Sequence, residues 1–300
     1  MWLWWLLACG DAPAPDDTSS QDLEQTPWIL PEDAPPGPGL DAPALEAAVQ
    51  EAVDLARDLQ AAPVLDVYDG LIADASETCP GRYYNTQGTY WSNDCTSSNG
   101  THYQGFAFTS LVAYDGGAAG LTNTRTLYAG GTIDTDDGLR FAGSGTAALS
   151  TTVTGEFSQY ISVLQGSFSW DGPEAADTWL ASDMAPDFVA VAFYVPLSRG
   201  RSLTLDGGIG GLDAGVVAFD GVTLMSLGLG SACLKEPSGS ISVRNPDGTW
   251  TDVLFDGPAG LGEPTTGPCD GCGEAWHRGE RVGEVCADFS PLLDWDDRPW

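Results

Sequence analysis

The sequence predicts a mainly β protein: an antiparallel meander, as a sandwich, curved sheet or barrel, tied by disulfides and preceded by one or two short helices. Three observations predict it. Nine Asp-Gly pairs punctuate the chain, beginning at Asp69, Asp115, Asp137, Asp171, Asp206, Asp220, Asp247, Asp256 and Asp270, and both residue types tolerate the positive φ that tight hairpins require. Between the pairs, short apolar runs alternate with Gly, Thr, Ser and aromatic residues, and closely spaced hairpins imply antiparallel neighbours. Helical periodicity is confined to the stretch before Cys79. The spacing of the pairs is too uneven for a solenoid, which repeats at a fixed period.

The opening reads "MWLWWLLACGDAPAPDD". Its apolar block, Trp2 to Ala8, is far shorter than the ~20 residues a helix needs to cross a bilayer, and sits at the lower limit for the apolar core of an export signal. Leu6-Leu7-Ala8-Cys9 resembles the lipobox of bacterial lipoproteins. The resemblance implies that residues 1–8 are a signal peptide and that Cys9 receives a diacylglycerol on sulfur and an acyl chain on its new amine. Two lipid signals already suffice for stable anchoring. Gly10, rather than Asp, follows the cysteine, which by the same resemblance favours the outer membrane. The family's signals begin with Lys or Arg; here the Met1 amine is the only positive group, as a start codon assigned too far downstream would produce.

Residues 9–41 form an acidic, proline-rich segment without Lys or Arg. Proline and like charge extend a chain that has little apolar surface to bury, so this is a tether, interrupted by Trp28, Ile29 and Leu30. Asp41 can cap a helix, with Pro43 in its first turn. Leu45, Val49, Ala52, Ala56 and Leu59 recur at helical spacing, and Pro63 ends the run. "VLDVYDGLIADAS" is a second, shorter helix; residues 42–78 are thus a helical segment. A β-rich domain covers 79–232, and a Cys-rich hairpin and C-terminal segment, 233–300, packs on it. "TIDTDDGLRF", "VVAFDGVTLM" and "SISVRNPDGTWTDVLF" each read as a hairpin, and "FVAVAFYVPL", apolar on both faces, as a central strand.

The six cysteines after Cys9 are even in number, which in an exported chain favours disulfides. Cys79 and Cys95 bracket one hairpin-sized loop and form the first pair. Cys233, Cys269, Cys272 and Cys286 allow three pairings, with Cys233–Cys269 and Cys272–Cys286 preferred. Cys269-x2-Cys272-x4-His277 also resembles half a zinc knuckle, but zinc would strand Cys233. The paired-cysteine β body and the ending "CDGCGEAWHRGERVGEVCADFSPLLDW" resemble exported lipoproteins, uncharacterised in activity, of myxobacteria and similar high-GC Gram-negative bacteria. That resemblance covers about half the chain and implies a location.

Charge narrows the partners. Asp and Glu number 43 against 11 Lys and Arg, for a net charge of −32. Nucleic acid is disfavoured, because phosphate binding needs clustered basic residues; anionic lipid is disfavoured for the same reason. The histidines are His102 and His277, and no nucleophile elbow, His-Glu-x-x-His, P-loop or dinucleotide fingerprint occurs. With no catalytic residue to nominate, the sequence supports a surface-exposed, lipid-anchored envelope protein with a non-enzymatic binding or structural role. Its expected partners are the membrane, through the lipid, and an extracellular protein or glycan. One alternative is a carbohydrate-active hydrolase with a carboxylate pair, its tryptophans stacking on sugars. A second is a calcium-dependent adhesion module, for which "DTDDG" at Asp134 and "GGIGGLD" at Gly207 are partial matches.

Overall fold

In the computed structural model the described residues are 39–73, 75, 78–117, 120–172, 179–181, 184–226, 235–258, 268–296 and 298–299. The lipobox, Cys9, Trp28–Leu30 and Cys233 lie outside them. Two helices, α1 (Ala42–Asp58) and α2 (Ala61–Ala73), precede thirteen strands: β1 (Tyr83–Tyr84), β2 (Thr89–Thr96), β3 (His102–Asp115), β4 (Leu121–Asp134), β5 (Arg140–Val153), β6 (Ser158–Trp170), β7 (Ala185–Val195), β8 (Gly200–Leu212), β9 (Gly215–Ser226), β10 (Ser238–Arg244), β11 (Trp250–Asp256), β12 (Cys272–His277) and β13 (Glu280–Cys286). Every strand pairs antiparallel with its sequence neighbours, giving one thirteen-stranded meander in simple order. The curved-sheet form of the expected β class is the one adopted. Among the described residues no helix is long and apolar enough to cross a membrane.

Both helices lie on the same face of the sheet, α2 against β4, β5 and β6, and α1 against β8, β9, β10 and β13. Asp41 caps α1 by accepting from Ala44 N at 3.0 Å, and Leu45, Ala48, Val49, Ala52, Val53 and Ala56 form its buried stripe. The break between the helices falls at Leu59–Gln60. Pro63 does not end α1, as the sequence suggests; it sits in the first turn of α2, where its missing N–H costs nothing. The junction is fixed from the sheet side. Ala61 N donates to Ser162 Oγ (2.9 Å), and Trp179 Nε1 donates to the Gln60 carbonyl (3.1 Å).

Long strands can wrap two helices only if the sheet bends, and a line of inward glycines permits this. Gly105 pairs with Gly131, Gly131 with Gly143, and Gly145 with Gly166. A Cβ on Gly131, Gly145 or Gly166 would collide with a neighbouring strand's carbonyl oxygen, that of Gln104, Gln165 or Ser144. Gly166 and Gly207 also adopt positive φ, 99° and 102°. Large inward side chains fill the space beside this crease: Trp91, Tyr103, Phe141, Phe168 and Phe188 are all buried.

The crease corrects one hairpin assignment. Asp220-Gly221 lies inside the continuous strand β9, where the register with β8 shifts between Leu205 and Gly207. Asp206 accepts from Gly221 N at 2.7 Å across this bulge. Two Asp-Gly pairs therefore make a bulge between adjacent strands, because positive φ serves a bulge as well as a turn. The turn joining β8 to β9 is at Asp213-Ala214 instead. The hairpins at Asp137-Gly138 and Asp247-Gly248 form as expected, and "FVAVAFYV" lies within β7, the middle strand of the thirteen.

Both disulfides defined within the described residues staple an edge of this open sheet. Cys79–Cys95 ties the segment before β1 to β2, and Cys272–Cys286 joins directly opposed residues of the β12–β13 hairpin. Edge strands hydrogen-bond on one side only, so a covalent tie there holds the part of the ladder with the fewest neighbours. Cys269 is also disulfide-bonded; the preferred partner, Cys233, lies outside the described residues.

Candidate functional site

Strict alternation along the strands sorts side chains into an inner face, against the helices, and an outer face, against solvent. In β2, Trp91 points inward and is 2% exposed, while Tyr90 points outward and is 38% exposed. Register then builds a row on the outer face. Tyr83 pairs with Tyr90, Tyr90 with Phe108 and Phe108 with Tyr128, one aromatic side chain on each of four adjacent strands. With strands about 4.8 Å apart, the row spans about 14 Å. Tyr83 is 69% and Tyr128 48% exposed. Phe106 lies over Gly130 and leans on Tyr128, ring centroids 5.4 Å apart at 47°, so it bolsters the row from the next pair along.

The same register continues into hydrogen-bonding groups. Tyr128 pairs with Thr146, Thr146 with Gln165, and Gln165 with Asp187. Gln165 donates through Nε2 to Asp187 Oδ1 at 3.1 Å. Beside the rings stand Ser92, Ser110 and Thr126, also on the outer face. By contrast the outer face of β6 and β7 carries aliphatic residues, Ile161, Val163, Val189 and Val191, all half-buried.

On the inner side, where β3 and β4 run past α2, a cavity of about 390 Å³ is lined by Leu65, Asp69, Tyr84, Thr109, Leu111 and Arg125. Arg125 Nη2 binds Asp66 at 2.9 Å and Asp69 at 2.8 Å. Burial works against the guanidinium charge, but the two carboxylates outweigh it and raise its pKa. These two acids are clamped to one cation, an arrangement that fixes α2 on β4.

The residues singled out from sequence fall elsewhere. His102 is half-exposed, with Nδ1 at 3.2 Å from Thr96 Oγ1 and Nε2 at 3.6 Å from Asp94. His277 Nε2 lies 3.0 Å from Thr249 Oγ1, beside the β10–β11 turn, and packs against Gly39 where the chain joins the body. The zinc reading is overturned, since Cys269 and Cys272 are both bonded in disulfides. One grouping of three residues with metal-ligand atoms occurs among the described residues, Cys272, Glu284 and Cys286, and its two sulfurs are bonded to each other. The "DTDDG" segment forms the β4–β5 turn, where Thr135 binds Asp137, and "GGIGGLD" runs through the end of β8. Trp170 and Trp179 are core residues, 5% and 3% exposed.

The aromatic row is built of tyrosine and phenylalanine rather than tryptophan, so tryptophan content does not reveal it. Its signal is present in "YYNTQGTYW" and "FAFTS", but only the pairing register brings these segments together. Compared with protein-family models, with curated proteins and with solved structures, the chain gives no match.

Proposed function

We propose that this chain is a lipid-anchored protein of the bacterial cell envelope whose role is to bind a partner, without catalysis, on the outer face of β1–β4. The observation that carries the reading is the in-register row in which Tyr83, Tyr90 and Tyr128 are exposed, with Phe108 half-buried between them, on the outer face of β1–β4. Rigid aromatic side chains on a braced sheet give large contact area at little cost in side-chain entropy, which is why aromatics concentrate at binding surfaces. Two features support the location: the lipobox at Leu6–Cys9 and the disulfides, which persist in oxidising compartments. The proline-rich tether would hold the body off the outer membrane, in reach of an extracellular protein or glycan.

The anchor is tested by metabolic labelling with a fatty-acid analogue. Wild-type protein takes the label and stays with the membrane; Cys9→Ser takes none, and equal labelling of both sinks the anchor. The binding surface is tested by nitrating tyrosines on intact cells and on purified protein, then mapping peptides. Tyr83, Tyr90 and Tyr128 should be protected on cells, while Tyr84 and Tyr114, exposed but off the row, react equally in both. Equal reactivity of the row in both settings removes it as a binding surface.

A further inference from the structure

We infer that the ligand of the outer-face row is a neutral, β-linked polysaccharide, bound across the strands; the inference rests on the row being the binding surface. The argument comes from what the row contains along its length. A pyranose ring is amphipathic: its axial C–H groups carry slight positive charge and stack on the electron-rich face of an aromatic ring, while its hydroxyls project from the ring edge and need donors and acceptors. The row supplies both in one register, with rings on β1–β4 and then Thr146, Gln165 and Asp187 on β5–β7. Together these seven strands present a track about 29 Å long, and one strand spacing is close to the advance of one hexose along a linear chain.

The surroundings discriminate against other occupants. A protein partner with an aliphatic hot spot would match the half-buried valines of β6 and β7, whereas Ser92, Ser110 and Thr126 flank the rings. Charge selects among glycans. With a net charge of −32, and Asp94 and Asp187 on the same outer face, the surface repels uronate and sulfate polymers. A neutral chain meets no such barrier. The strands beneath the rings are tied to α2 by the Trp91–Tyr68 and Tyr103–Leu71 hydrogen bonds, so the backbone carrying the row is ordered before an extended chain meets it.

The test uses the full chain, solubilised in a polyoxyethylene detergent so that no glucoside headgroup competes. It is run on native gels containing mixed-linkage β-glucan, glucomannan or xylan, with alginate as the anionic control. At least one neutral polymer should retard the protein, and alginate should not. The double variant Tyr90→Ala/Tyr128→Ala should need about tenfold or more polymer for the same retardation, whereas Tyr114→Ala, on the same face near the β3–β4 tip, should behave as wild type. Circular dichroism and melting of the double variant check that it folds, and Tyr90→Phe, which keeps the ring, should retain binding. Failure of every neutral polymer, or equal retardation of the double variant, overturns the inference. If no polymer retards the protein yet the row stays protected from nitration on cells, the glycan fails and the binding surface survives; unprotected tyrosines remove both.

Discussion

Tyr90 and Trp91 are neighbours in one strand, and they meet opposite surroundings. Trp91 packs edge-on against Tyr103, ring centroids 5.9 Å apart, and donates through Nε1 to Tyr68 Oη at 2.8 Å. Burial pushes the Tyr68 pKa up to about 12, with the Trp91 hydrogen bond working the other way and Asp69 adding to the rise. The Tyr103 hydroxyl is likewise answered, donating to the Leu71 carbonyl at 3.2 Å. Tyr90, by contrast, stands in an open row with Tyr83 and Tyr128. The comparison teaches that aromatic content on this sheet has two purposes. Inside, rings replace the volume that glycines give up and hold the helices; outside, rings of the same kind stay largely open to solvent and add little to stability.

The largest test of that division is Trp91→Ala. It removes the inner ring and orphans Tyr68, and should cost about 3–5 kcal/mol in urea unfolding; a loss below 1 kcal/mol would mean that the inner set is not the core. Gly166→Ala should come next, at roughly 2–4 kcal/mol, because its Cβ meets the Ser144 carbonyl and its φ is positive. A tolerated alanine there would show that the crease can relax. Replacing both Cys79 and Cys95 by Ser should cost roughly 3 kcal/mol through loop entropy, read as a lower melting temperature.

A smaller effect is expected at Glu236, a carboxylate on the buried side. Burial raises its pKa, although Gly271 N (3.0 Å) and Asp270 N (3.3 Å) donate to Oε2 and pull it back. Because the folded pKa lies above the unfolded one, the folded state holds the proton more tightly. The stability this group contributes is therefore fully present at low pH and lost as pH rises through the folded pKa. Glu236→Gln should flatten stability against pH above the ordinary carboxylate range, and an unchanged slope would refute the assignment. The smallest effect belongs to Tyr90→Ala, within about 0.5 kcal/mol of wild type. A loss comparable to that of Trp91→Ala would erase the distinction between the two faces.

Much of the architecture was legible before any coordinates. The periodicity at Leu45–Leu59, the hairpin at Pro246–Gly248 and the Cys79–Cys95 bridge all rest on local rules, in which a few adjacent residues carry the whole signal. Asp220-Gly221 shows the limit of such rules. The dipeptide carries a preference for positive φ, but a turn and a bulge ask the same φ, and only the neighbouring strand distinguishes them. Pro63 is a second instance, since proline ends one helix or begins the next depending on where its predecessor's last carbonyl is satisfied.

The sequence by itself determined the β class, the two amphipathic helices, the acidic surface and the cysteines that can be bridged, because composition, period and parity are properties of the chain. The order of pairing decided the rest. Tyr83, Tyr90, Phe108 and Tyr128 are spread over 46 positions and become one surface only when four strands align in a particular register. Which glycines face inward, and so where the sheet bends, follows from that same register. Side-chain direction alternates with every residue, so a slip of one would bury the row and expose the core.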